Sequence, residues 1–215
     1  MKPRRRHHIA FTPSPRARAF TLVELLAVVA IIGILAAILI PVAGAMRTKA
    51  RETRCLANLK ELGASFFNYM AENRDRTPPA CEHSTGAWRA FDTLLGYTEN
   101  AAAILHCPLD EVPRVRDLTP RSYAMNDPLW QRDRWPGVSP GDMDNPSRTI
   151  LLSEWFIKGN TIGSESYCDL GNHATTSHAN GTRANVLWYD GHVSQVSGND
   201  PDFQNDTYFR FRVQN

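Results

Sequence analysis

The residues best suited to chemistry in this sequence are four cysteines, which stand far apart along the chain. No two of them have the C-x-x-C spacing typical of zinc knuckles and thioredoxin-like sites. If they lie outside the cytoplasm, disulfides are expected, and four cysteines allow three pairings. We favour Cys55 with Cys107, because that bond would tie a helix to the loop after it; buried free thiols are the alternative. The full set is Cys55, Cys81, Cys107 and Cys168.

Histidines and an Asp-Gly pair near the end of the chain form a second candidate site. Imidazole and carboxylate suit zinc and other transition metals. The residues concerned are His173, His178, Asp190 and His192. A hairpin turn without metal is the stronger interpretation, because Asp190-Gly191 has the residue types of a tight turn. We therefore expect His178 to hydrogen-bond a loop.

Two acid-rich stretches, residues 141–145 and 199–206, could offer oxygen ligands to calcium. The second contains Asp200, Asp202 and Asp206. Neither stretch has the spacing of an EF-hand loop, and solvated polar loops are the simpler interpretation. We expect no cofactor, with Ca²⁺ as the alternative.

The sequence contains none of the common catalytic motifs: no G-x-S-x-G, no P-loop and no H-E-x-x-H. An enzyme needs a nucleophile, a base and an orienting group in one place. Ser153 and Glu154 would meet a histidine only if the fold happened to bring them together. We therefore expect a protein that is not an enzyme.

The basic residues are concentrated at the start of the chain. Residues 1–19 hold six basic residues and no acid, which leaves 18 basic and 22 acidic residues, a net charge of −4, in the rest. A negative net charge on the chain after residue 19 argues against nucleic-acid binding. The asymmetry indicates a basic leader instead.

A long apolar run follows this leader. Residues 25–45 contain no charge over 21 residues, and a helix of that length spans roughly 30 Å, the thickness of bilayer hydrocarbon. A secretory signal peptide has a shorter apolar core and a small-residue cleavage site. A plain transmembrane anchor does not explain Glu24, because a carboxylate at the start of a span is costly without a partner. The third interpretation is a leader that is cut before the apolar run.

The remaining pattern predicts an α+β fold. Apolar residues recur every three or four positions after the apolar run, so one helix of about 50 residues should extend from Phe20 to the prolines after Arg76. Pro41 should kink or locally unwind it. We expect a short helix over 88–95, a loop over 130–146, a buried strand over 149–155, and a final strand over 209–213. The strands 184–189 and 192–196 should form a hairpin around Asp190-Gly191.

The segment Ala19-Phe20-Thr21-Leu22-Val23-Glu24-Leu25-Leu26 resembles the processing site of type IV pilins and type II secretion pseudopilins. The resemblance implies that a prepilin peptidase cuts between Ala19 and Phe20 and N-methylates Phe20. Glu24 is then the fifth residue of the mature chain and pairs with the Phe20 ammonium of a neighbouring subunit. The family usually has Gly where this chain has Ala19. Its fold is a long N-terminal helix packed on a small antiparallel-sheet head with long loops.

A second resemblance covers the head. Several short motifs look like a family of prepilin-like proteins named for a His, nine residues and Asp-Gly. Here eleven residues separate His178 from Asp190. The other matching motifs are C-x-x-N-L-K from Cys55, Cys107-Pro108 and the stretch 122–126.

These resemblances imply a structural subunit with four parts. They are a cleaved leader (1–19), a transmembrane assembly helix (20–46), its amphipathic continuation (47–76) and an α+β head (77–215). The expected partners are prepilin peptidase, other pilin or pseudopilin subunits and an inner-membrane assembly platform. The expected place is the inner membrane, crossed once, with the head in the periplasm or outside.

The rival hypothesis is a membrane-anchored protein whose head binds a sugar or polymer. Exposed aromatic side chains would grip such a ligand, and the candidates are Trp130, Trp135 and Trp155. A tether needs neither Glu24 nor a cut site, whereas a filament subunit needs both.

Overall fold

The computed structural model describes residues 21–78, 81–82, 89–94, 96, 102–115, 118–126, 138–139, 141, 143–162, 178 and 181–204. The chain divides into two compact units, with the boundary between Met46 and Arg47. The loop expected over 130–146 lies mostly, and the strand expected over 209–213 wholly, outside the described residues.

The first element is a single helix, α1, Leu22–Glu72, of 51 residues. Its length agrees with the prediction from the apolar run and the stripe that follows it. Pro41 has no N–H for the carbonyl four residues earlier, yet the helix continues through it, so the expected local unwinding does not occur. The helix ends where Arg74 and Asp75 take left-handed φ values of 58° and 57°. Asn73 Nδ2 supports this end by donating to the Tyr69 carbonyl at 2.7 Å.

Four antiparallel strands form the main sheet in chain order. They are β3 (Tyr123–Met125), β4 (Ile150–Glu154), β5 (Arg183–Trp188) and β6 (Val193–Ser197). The β5–β6 pair is the hairpin expected around Asp190-Gly191, and β4 is the expected buried strand. The α+β fold class is therefore confirmed.

The sheet buries side chains on both faces. One face packs against the part of α1 that follows Met46, which we call its head half. The other face forms a second apolar cluster that includes Phe203. Side chains alternate between the two, as strand geometry requires: Leu187 lies in the first cluster, Val186 and Trp188 in the second. Gly63 lets α1 approach β5 closely, because a Cβ there would lie 3.0 Å from Leu187 Cδ1.

Short elements complete the head. Residues Arg89–Ala90 form strand β2, which pairs with β1 (Cys81–Glu82), and the helix α2 covers only Phe91–Leu94. The helix predicted over 88–95 is thus wrong at Arg89 and Ala90 and confirmed over Phe91–Leu94. The sheet pairing of Arg89 and Ala90 overrides a helical period that is too short to decide the structure. The others are α3 (Ala102–Leu105), a 3₁₀ turn (Pro146–Arg148) and α4 (Pro201–Gln204).

Candidate functional site: the start of the long helix and the buried head cluster

The first turn of α1 carries a capping box formed by Thr21 and Glu24. The Thr21 backbone N–H and hydroxyl both lie 2.9 Å from Glu24 Oε2, and each donates to it. The Glu24 N–H lies 3.2 Å from Thr21 Oγ1. This Thr-x-x-Glu pattern satisfies backbone donors at a helix start, and a carboxylate there is favoured by the helix dipole. Glu24 therefore has partners in its own chain, while Ala19 and Phe20 lie outside the described residues.

The apolar half of α1 leaves its large side chains exposed. Leu22 is 79% exposed and Ile40 is 72% exposed. Glu24 is the single charged residue between Leu22 and Met46. In the described part of the chain, α1 alone has the length and apolar composition to cross a bilayer; an 18-residue window has a mean hydropathy of 3.1. Such a surface needs lipid or other helices as its surroundings.

A disulfide joins Cys55 of α1 to Cys107, which follows α3. The two Cα atoms lie 5.0 Å apart across 52 positions of sequence. Both residues are fully buried. Of the other cysteines, Cys81 lies in β1 and Cys168 lies outside the described residues.

His178 lies beside this disulfide, in contact with a buried carboxylate. Its Nε2 is 2.6 Å from Glu154 Oε1 and 4.0 Å from Cys107 Sγ. Asn185 holds the carboxylate through two donors, since its N–H lies 3.0 Å from Glu154 Oε2 and its Nδ2 lies 2.9 Å from Oε1. The backbone of His178 is paired with Arg183, at the start of β5. The His178 side chain thus enters a buried polar cluster with residues of β4 and β5, which the sequence did not reveal.

Asp190, Gly191 and His192 form the turn of the β5–β6 hairpin, away from His178. Asp190 Oδ1 accepts the His192 N–H at 3.0 Å and lies 2.5 Å from His192 Nδ1. Gly191 has a left-handed φ of 91°, and a Cβ there would lie 2.6 Å from Phe67 Cε2. The structure therefore does not bring His178, Asp190 and His192 together as metal ligands. His173 lies outside the described residues.

Sequence reasoning missed several buried charges that fix the loops of the head. Arg121 is fully buried, 3.2 Å from Asp92 and 5.2 Å above the ring centre of Phe91. Burial lowers the pKa of its guanidinium below the ordinary value, and the Asp92 charge opposes that shift. Asp110 pairs with Arg114 and accepts the Ser122 hydroxyl at 2.7 Å.

Tyr123 lies on the helix-facing side of the sheet, and its hydroxyl donates to the Cys55 carbonyl at 3.3 Å. Burial raises the pKa of this phenol far above its ordinary value, and the Glu154 charge adds to the shift. A Tyr held in its neutral form is a stable donor at this position.

The candidate calcium ligands make contacts within the chain. Asp202 forms an ion pair with Arg148 at 2.7 Å. Asp200 Oδ1 accepts the Asp202 N–H at 2.9 Å at the start of α4. Asp206 lies outside the described residues. Asp200 and Asp202 thus serve a helix start and an ion pair.

Of the three tryptophans named for the rival hypothesis, the one that the structure describes is buried. Trp155 is 3% exposed and belongs to the second apolar cluster. Trp130 and Trp135 lie outside the described residues.

Comparison with known proteins agrees with the N-terminal resemblance. The family model of the prokaryotic N-terminal methylation motif matches residues 14–40. The chain is also 44% identical, over 63 residues, to the type IV major pilin protein PilA of Myxococcus xanthus strain DK1622. This alignment covers 29% of the present chain and 28% of the length of that relative. No solved structure matches.

The long apolar helix, the small antiparallel sheet and the methylation motif together define a prepilin-like protein. Within that class, the methylation motif over residues 14–40 and the partial similarity to a type IV major pilin support a type IV prepilin-like protein. Its apolar N-terminal helix fits anchoring in the inner membrane.

Proposed function

We propose that the chain is the precursor of a filament subunit. A prepilin peptidase cuts it between Ala19 and Phe20 and methylates the new amino terminus. The helix from Phe20 to Met46 then holds the product in the membrane until it polymerises into a type IV pilus or a type II secretion pseudopilus. One observation carries this proposal: the methylation motif over residues 14–40 overlaps a helix whose large apolar side chains are exposed in the described part of the chain.

The apolar helix serves two environments in turn. In the membrane, its backbone is satisfied within the helix and its side chains face lipid. In the filament, the same side chains pack against the helices of neighbouring subunits. Removal of the six basic residues before Phe20 takes away the charges that hold the leader at the cytoplasmic face.

Glu24 sets the register between subunits. In the single chain its carboxylate is held by Thr21, next to the residue whose α-amine the cut creates. In an apolar bundle, that carboxylate pairs with the Phe20 ammonium of a neighbour. An ion pair in a medium of low dielectric strongly penalises a missing partner, so misplaced subunits are rejected.

The proposal implies three partners: the prepilin peptidase, further pilin or pseudopilin subunits, and an inner-membrane assembly platform. The head lies in the periplasm or outside the cell, a setting that permits the Cys55–Cys107 disulfide. The acidic balance of the chain after the leader gives no reason to expect nucleic acid as a partner.

The test is the intact mass and the N-terminal peptide of the protein purified from its native membrane. We expect the chain to begin at Phe20 and to carry one additional methyl group. The same protein made in cells that lack a prepilin peptidase is the control and should keep its leader. A leader retained in the native membrane would contradict the proposal and leave a simple anchor.

A further inference from the structure

Four buried side chains with metal-binding atoms meet in the head. They are Cys55, Cys107, Glu154 and His178, and their ligand atoms all lie within 4.8 Å of one another. None of the four is more than 1% exposed. In the structure the two sulfurs are joined. The filament function proposed above uses neither Glu154 nor His178.

The donor set suits zinc. Two thiolates, one imidazole and one carboxylate make four ligands, and zinc prefers tetrahedral coordination by sulfur, nitrogen and oxygen. A closed and buried set is typical of structural zinc sites, since catalytic sites keep a position open. The acid-rich loops, by contrast, offer only oxygen.

The spacing of these atoms is close to that of a zinc site. Cys107 Sγ lies 4.0 Å from His178 Nε2, and the corresponding ligands of tetrahedral zinc lie roughly 3.5 Å apart. His178 Nε2 and Glu154 Oε1, which are 2.6 Å apart, would separate to about 3.4 Å around the ion. The two sulfurs, once their bond is broken, would separate to about 3.8 Å.

The carboxylate is already oriented by Asn185. The Asn185 N–H and Nδ2 donate to the two oxygens of Glu154 at 3.0 and 2.9 Å. Asn185 Nδ2 also lies 2.7 Å from His178 Nε2, so the amide must move off that nitrogen when the ion binds and then acts on the carboxylate alone. An outer contact that fixes a ligand in this way strengthens metal binding.

The charge of the cluster also permits the exchange. With a neutral imidazole, the disulfide form has one negative charge, on Glu154. A zinc ion with two thiolates and the same carboxylate also totals one negative charge.

We propose that the dithiol form of the chain binds one zinc ion through Cys55, Cys107, His178 and Glu154, and that the disulfide and the metal exclude each other. A dithiol reductant supplies two electrons and two protons to the disulfide, giving two thiols, and is itself oxidised to a disulfide. Zinc binding then releases the two thiol protons to solvent. Either the disulfide or the zinc ion links α1 to the segment after α3. This cross-link is therefore present in both oxidising and reducing surroundings.

The test is a Co²⁺ titration of the full-length chain in detergent, reduced with dithiothreitol that is then removed without oxygen. We expect one Co²⁺ per chain, visible bands of tetrahedral cobalt and near-ultraviolet thiolate charge transfer. One equivalent of Zn²⁺ should abolish these bands. The oxidised chain should show none of them.

Variants locate the site. Cys81→Ser with Cys168→Ser should keep the bands, whereas Cys55→Ser with Cys107→Ser should lose them. Asn185→Ala should keep the shape of the bands but weaken Co²⁺ binding roughly tenfold, since Asn185 only positions a ligand.

A second measurement needs no variant. In the reduced natural chain, Zn²⁺ should slow the alkylation of Cys55 and Cys107 relative to the same chain without metal, as peptide mass mapping would show. The proposal is overturned by a reduced chain without cobalt bands, by protection at Cys81 and Cys168 instead, or by equal Co²⁺ binding to the oxidised chain.

Discussion

The two halves of α1 have opposite surfaces. Between Leu22 and Met46 the large apolar side chains are exposed, whereas in the head half Leu59, Leu62 and Phe66 are fully buried against the sheet. One continuous helix thus serves two purposes. The second half packs against the sheet of its own chain, and the first half leaves its large side chains exposed in the described part of the chain.

The charges show the same contrast. Glu24 is the single charge of the apolar half, and among the described residues its carboxylate is held by Thr21 in the first turn of the helix. The head, in contrast, buries whole ion pairs, such as Arg121 with Asp92 and Arg114 with Asp110. The head charges are therefore expected to control stability, and Glu24 is expected to control assembly.

The largest expected effect is the loss of filaments when Glu24 loses its charge. Glu24→Gln keeps an oxygen that can accept from Thr21 but removes the charge that would pair with a neighbour's ammonium. We expect Glu24→Ala and Glu24→Gln to be cut and methylated normally yet to form no filaments. Sheared filaments would be counted by electron microscopy, and processing would be checked by mass.

Thr21→Ala is the matched control for this experiment, because it weakens the capping box and keeps the carboxylate. It should cost helix stability of only about 1 kcal/mol and still give filaments. Normal filaments from Glu24→Gln would show that the charge has no role in assembly.

The next effect concerns the head alone. Arg121→Met leaves the Asp92 carboxylate buried without its guanidinium, and removal of one partner of such a pair costs about 3–5 kcal/mol. Urea unfolding of the detergent-solubilised chain, followed by tryptophan fluorescence, would measure this loss in the free energy of unfolding. The control is Arg148→Met. Arg148 and its partner Asp202 are 59% and 40% exposed, so their ion pair should contribute less than about 1 kcal/mol to the free energy of unfolding. Equal losses would mean that the Arg121 pair is not a main determinant of head stability.

The disulfide should contribute somewhat less. It closes a loop across 52 positions, and bonds of this kind typically add about 2–4 kcal/mol to the free energy of unfolding. Cys55→Ser with Cys107→Ser should lose that amount in the same assay, and the reduced natural chain without metal should match it. Zinc should restore stability to the reduced natural chain but not to the variant. A variant as stable as the oxidised chain would show that the bond contributes nothing.

These contrasts also show what the sequence could predict. The long helix has an uninterrupted pattern, and the β5–β6 hairpin has a short turn with characteristic residue types. Both features depend on residues that are neighbours in sequence. The capping box could have been found in the same way, because Thr21 and Glu24 have the spacing that it requires.

The buried head contacts could not be predicted, because tertiary packing alone brings their members together. Glu154 and His178 are 24 positions apart, and neither has a local pattern that identifies its partner. Strand β3 has three residues, too few for an alternating pattern, and its place depends on pairing with β4. The helix predicted over 88–95 was wrong at Arg89 and Ala90 for the same reason, since these residues pair with β1.

The smallest effect links the turn of the hairpin to the head half of α1. Gly191 has a φ of 91° and lies against Phe67, so Gly191→Ala should lower the free energy of unfolding by about 1–2 kcal/mol from backbone strain, with a further loss from the contact. Gly96 is the matched control, because its φ of 72° is also left-handed but a Cβ there would meet nothing within 4 Å. Gly96→Ala should therefore show the backbone cost alone.

If the Asp-Gly turn packs against α1 through Phe67, the additional loss of unfolding free energy in Gly191→Ala should disappear in a Phe67→Ala background. If the two glycine variants lose the same amount in the natural background, the turn needs glycine only for its own conformation.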